Sequence, residues 1–74
     1  MEREQLLERF GQRLRALRLE RGMSQERLAE LAGLHRAYIS GVEIGRRNIS
    51  VWTLHRLANA LGVVSSALVD ADDL

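Results

Sequence analysis

The chain has 74 residues, of which 46% are hydrophobic and 28% charged, a formal net charge of +1, and neither Pro nor Cys. One domain over residues 1–74 is what that length can hold, and a chain of this size buries only roughly 60% of its unfolded surface, so a partner subunit would help stability. The missing cysteine excludes disulfides, thiolate metal sites and thiol catalysis and fits a reducing, cytoplasmic setting, while no apolar run approaches the ~20 residues that span a bilayer.

Read in chain order, the pattern predicts five helices and no strands. The first runs from about Glu2 to Glu20, where Leu6, Phe10, Leu14 and Leu17 make one apolar stripe and Gly22 closes the end. Ser24 caps a second helix, about Gln25 to Ala32, and Gly33 supplies the turn that follows. A third helix is expected from about Arg36 to Ile44, ended by Gly45, and a polar loop, Arg46-Arg47-Asn48, leads to the cap Ser50. The fourth, Val51 to Leu61, carries Val51, Leu54, Leu57, Ala58 and Leu61 on its buried side. After Gly62, Ser65 caps a last short helix from Ser66 to about Ala71, beside the acidic residues Asp70, Asp72 and Asp73.

The second and third helices, joined by about four residues, have the parts of a helix-turn-helix. Gln25, Leu28, Ala29, Ala32, Gly33, Leu34, Ile39 and Val42 fall where two crossing helices need small or apolar residues. His35, Arg36, Ala37, Ser40 and Gly41 are left facing outward, able to enter a DNA groove. The charge divides to match: residues 1–50 hold ten Arg and seven acids, a balance of +3, whereas residues 51–74 hold one Arg and three Asp, a balance of −2. All eleven basic residues are Arg, which suits bidentate recognition of phosphate and guanine; a GC-rich genome would produce the same bias.

The run Gln25 to Leu34, then Tyr38-Ile39-Ser40, Glu43, Gly45 and Asn48-Ile49-Ser50, resembles the Cro and phage-repressor type of helix-turn-helix protein. More narrowly, Gly33 to Glu43 followed by Arg47-Asn48-Ile49-Ser50 is similar to controller proteins of restriction-modification systems. The resemblance covers about Phe10 to Leu68, and departs from the pattern at Ala37, where threonine is common, and at Ile44, where a basic residue often stands. It implies a five-helix bundle of the phage-repressor DNA-binding type. It also implies a homodimeric regulator on paired half-sites upstream of its own gene and an endonuclease gene, activating at low occupancy and repressing at high, with RNA polymerase a further candidate partner.

Residue by residue, Arg36 can fork onto the O6 and N7 of guanine, Ala37 offers only a methyl group, and Ser40 lies one turn on along the same face. Arg36 could instead meet a phosphate, and Ser40 could simply keep the face small. Candidates for the DNA backbone are Gln25 at the start of the second helix, His35, the Tyr38 hydroxyl, and the loop Arg46, Arg47 and Asn48. Tyr38 could alternatively fill the gap between helices, and His35 could be a cap. Glu43, an acid near DNA, is expected to hold an Arg of the first helix or the loop. Trp52 points away from the main core and is expected at a subunit interface or against the DNA backbone, and Val63, Val64, Ala67, Leu68 and Val69 are expected at a two-fold interface built from the fourth and fifth helices; the competing reading tucks these residues against the first helix in a monomer. Two isolated histidines, His35 and His55, make no metal site, no cofactor is implied, and nothing resembles a catalytic set. The rival to a DNA-reading regulator is an antitoxin or adaptor built on the same helices.

Overall fold

The structure is a computed structural model and describes residues 2–69. Four α-helices, α1 (Arg3–Glu20), α2 (Gln25–Ala32), α3 (Arg36–Glu43) and α4 (Val51–Leu61), precede a short 3-10 turn at Ser65–Leu68, and no strand occurs among the described residues.

The caps explain the boundaries. Ser24 accepts a hydrogen bond from the Arg27 amide, and Ser50 accepts one from the Thr53 amide, so α2 and α4 each begin on a satisfied N-terminus. Gly33 ends α2 at φ 70°, a left-handed conformation that costs glycine little, and the Arg56 guanidinium of α4 lies over it.

Leu14, Leu28, Ile39, Leu57 and Leu68 are the largest fully buried apolar side chains, with Val42, and Phe10, Ala29, Ala32, Ala58 and Leu61 complete the core. Each fully buried large side chain contributes about 1.5–3 kcal/mol of transfer free energy. At Gly11, α1 meets the last turn of α3 so closely that a Cβ would stand 2.5 Å from the Glu43 carbonyl oxygen and closer still to that of Val42.

Three expectations about the elements need correction. The fifth helix is a 3-10 turn of four residues, held by i→i+3 bonds from the Ala67 amide to the Val64 carbonyl and from the Val69 amide to the Ser66 carbonyl, with Val64 rather than Ser65 in the cap position. So short a turn is enough to swing Leu68 into the core; Asp70 to Leu74 lie outside the described residues. Val51 is 83% exposed instead of buried, because the first turn of α4 projects past the core that Leu57, Ala58 and Leu61 reach. Leu6, at the opposite end of the α1 stripe from Leu17, is also exposed.

Candidate nucleic-acid interface

The geometry of the helix-turn-helix is set from beneath by one polar cluster. The Arg18 guanidinium of α1 donates from Nε to Glu43 Oε2 at 2.6 Å and from Nη2 to Glu43 Oε1 at 3.0 Å. Its Nη1 donates to the Met23 carbonyl oxygen at 2.8 Å. The Gln25 amide of α2 donates to the same Glu43 Oε1 at 3.1 Å. Glu43 thus holds an Arg of the first helix, as expected, and the pair is almost wholly shielded from solvent. The Glu43 hydrogen bond and charge hold the Arg18 guanidinium above its ordinary pKa, against the desolvation that would lower it. One carboxylate therefore fixes the start of α2 and the end of α3 to α1.

Above that cluster, the first turn of α3 is open. His35 occupies the N-cap position without a side-chain cap bond, and His35, Arg36 and Ala37 are exposed. Arg36 Nε lies 3.8 Å from Glu26 Oε1 of α2, a loose pair on the surface. Ser40 and Gly41 are half-buried, not fully outward as the helical spacing alone suggests. The cause is the loop: the Arg46 and Arg47 amides both donate to the Gly41 carbonyl, and the Arg47 aliphatic stem lies against Gly41.

This folding-back brings Arg46, Arg47 and Asn48, all exposed, alongside α3. Two internal bonds then fix the loop. Asn48 Oδ1 accepts from the Ile49 amide at 2.8 Å, and the Tyr38 hydroxyl donates to the Asn48 carbonyl at 2.9 Å. The Tyr38 ring is half-buried against the core, so the residue does fill the gap between helices, and its hydroxyl proton is spent on the loop rather than left for a phosphate. Gln25 likewise uses one of its two amide N–H groups on Glu43.

The residues expected at a subunit interface do not share one surface. Leu68 is fully buried in the monomer's own core, and Val63 and Val69 pack half-buried against that core. The 3-10 turn aims Leu68 and Val69 toward the chain's own core, whereas Val64 and Ala67 stay exposed. Trp52 points away from the core at 67% exposure, in company the sequence did not reveal. The Arg56 guanidinium lies 6.0 Å from its ring centroid and the His55 ring at 6.4 Å. Arg18, Glu26 and Arg56 are the contributors that sequence reasoning missed. Only the expectation of an Arg partner for Glu43 hinted at the first; Glu26 meets Arg36 of another helix, which no local pattern marks, whereas Arg56 stands four residues after Trp52 on α4, a spacing the sequence does show.

Residues 9–71 match the helix-turn-helix domain family. The chain is 47% identical over 62 residues to the control protein C.BamHI of Bacillus amyloliquefaciens, covering 82% of this chain and 76% of that protein. It is 41% identical over 61 residues to the control protein C.MunI of a Mycoplasma species, covering 81% and 82%. Its fold is similar to the crystal structure of the restriction-modification controller protein C.AhdI from Aeromonas hydrophila, with a TM-score of 0.84, 51% identity, and coverage of 85% of this chain and 96% of that one.

Proposed function

The chain belongs to the helix-turn-helix domain family of DNA-binding transcriptional regulators, and on that premise we propose that it is a restriction-modification controller acting as a homodimer on palindromic operators. The similar proteins named as control or controller proteins support the biological role. The observation that carries the DNA-reading part is the exposed first turn of α3 beside an internally braced arginine loop.

In this reading Arg36 reads guanine in the major groove, with the Ala37 methyl and the Ser40 hydroxyl as its neighbours on the base edges. Arg46, Arg47 and Asn48 take phosphates, together with His35 and the free amide N–H of Gln25 at the α2 N-terminus. The Tyr38 hydroxyl, whose proton is already engaged, serves the backbone contact indirectly by holding Asn48 in place. Two recognition helices about 34 Å apart would read half-sites one turn of DNA apart. The protein would work in the cytoplasm, activate and autoregulate, and touch RNA polymerase when activating, without catalysis of its own.

Binding-site selection from random duplexes at two salt concentrations tests this. A recovered palindrome with half-sites about 10 base pairs apart, matching DNA upstream of an endonuclease gene, is the expected result. Retention without any motif, vanishing at the higher salt, would replace it with the antitoxin or adaptor reading.

A further inference from the structure

We propose that Arg56 is a positioning residue for the recognition helix: its guanidinium, steadied by the Trp52 ring, clamps the C-terminal end of α2 at Gly33 and so sets the angle at which α3 leaves the turn. This deepens the DNA-reading role above and rests on it.

The two ends of α3 are held differently. At the C-terminal end, Glu43 is locked to Arg18 and Gln25. At the N-terminal end, His35 makes no side-chain cap bond, and only Leu34 separates it from Gly33, the left-handed residue that ends α2. A contact that holds Gly33 therefore helps to set the direction of α3 and the place of Arg36. Base reading tolerates about 0.5 Å of error in the reading group, so this end needs an anchor of its own.

Arg56 stands where that anchor is needed. α4 packs on α2, and Arg56 lies in the seam with Leu31, Ala32, Asn59 and Ala60. Its Nη2 is so near Gly33 that an ideal Cβ there would meet it. α2 has no basic residue in its last turn, so the cation that suits the negative end of its dipole arrives from α4. Residues 44–69 include no acid, and among the described residues no carboxylate pairs with Arg56 and draws it away. One turn earlier on the same face of α4, the Trp52 ring centroid lies 6.0 Å from the guanidinium carbon, at the outer limit of cation–π contact. A planar guanidinium can rest on a ring and still present N–H groups at its edge. The 67% exposure of Trp52 then has an explanation within the chain: the ring is a plate that narrows the rotamers of Arg56.

The test compares wild type with Arg56→Met, Arg56→Lys and Trp52→Leu. Each is titrated with a selected and a scrambled duplex at several salt concentrations, beside urea unfolding. Arg56→Met keeps the aliphatic stem and removes the clamp. It is expected to bind the selected duplex about 10-fold more weakly and the scrambled one nearly as wild type does, because a tilted α3 loses base edges before phosphates. Its salt slope and unfolding midpoint should stay at the wild-type values. Arg56→Lys should recover part of the loss, since the charge returns without the planar fork. Trp52→Leu should lose about 3-fold on the selected duplex, with Arg56 less restrained. Equal loss on both duplexes with a salt slope lowered by about 1 would make Arg56 a phosphate ligand and overturn the inference. Unchanged binding, or a loss that parallels lost stability, would overturn it too. If Arg56→Met does not fold, Trp52→Leu, at an exposed position, decides alone. A wild type without base preference fails the DNA reading, and the clamp falls with it; full preference in Arg56→Met fails the clamp alone.

Discussion

Arg18 and Glu43, 25 positions apart in sequence, meet face to face beneath the helix-turn-helix, and the guanidinium grips both carboxylate oxygens. Because the pair is nearly solvent-free, the two charges satisfy each other and each depends on the other's presence. Glu43→Ala should therefore cost about 3–5 kcal/mol by stranding the buried guanidinium, a large part of the stability of so small a domain. Arg18→Met combined with Glu43→Leu should recover most of that loss, measured by urea unfolding. A double variant no more stable than the single one would refute the stranded-charge account.

On DNA, Arg36 and Arg47 should separate cleanly. Arg36→Ala is expected to erase preference at one base position, worth about 1–3 kcal/mol, whereas Arg47→Ala should weaken binding to all duplexes alike and lower the salt slope by about 1. Titrations of selected and scrambled duplexes at several salt concentrations check both. Uniform loss across sequences from Arg36→Ala would remove its base-reading role.

The helices themselves were legible in the sequence because their boundaries are local. Ser24, Gly33, Ser50 and Gly62 act on neighbouring amides and carbonyls, and the structure uses each where the pattern places it. The last segment was not legible in the same way. Val63, Leu68 and Val69 are equally suited to a partner or to the chain's own core, and only the three-dimensional path of a four-residue turn decides. Arg56 was hidden only in part: Trp52 lies four residues before it on the same helix, but its place over Gly33 comes from the packing of α4 against the end of α2.

Gly11 marks the tightest helix crossing, and Gly11→Ala should be destabilising by about 1–3 kcal/mol even though alanine is the better helix former. The added methyl group would meet backbone carbonyls, which cannot rotate away as a side chain can. Thermal unfolding measures it; a stabilised variant would show that the crossing relaxes.

Tyr38→Phe removes the bond to the Asn48 carbonyl while keeping the ring in its place. The expected stability loss is about 0.5–1.5 kcal/mol. The loop it braces should then hold phosphates less well, so affinity for all duplexes should fall together, with base preference kept. Altered preference at one base in binding assays would instead place the hydroxyl at a base edge.

In the proposed DNA-reading role, the loose surface contact between Arg36 and Glu26 would give the free protein a weak stand-in for a base edge. In that role, entry into the groove would exchange the Glu26 carboxylate for a base edge and leave Glu26 beside the duplex. The acid on α2 would then be a mild, solvent-screened competitor for Arg36, present before any duplex arrives.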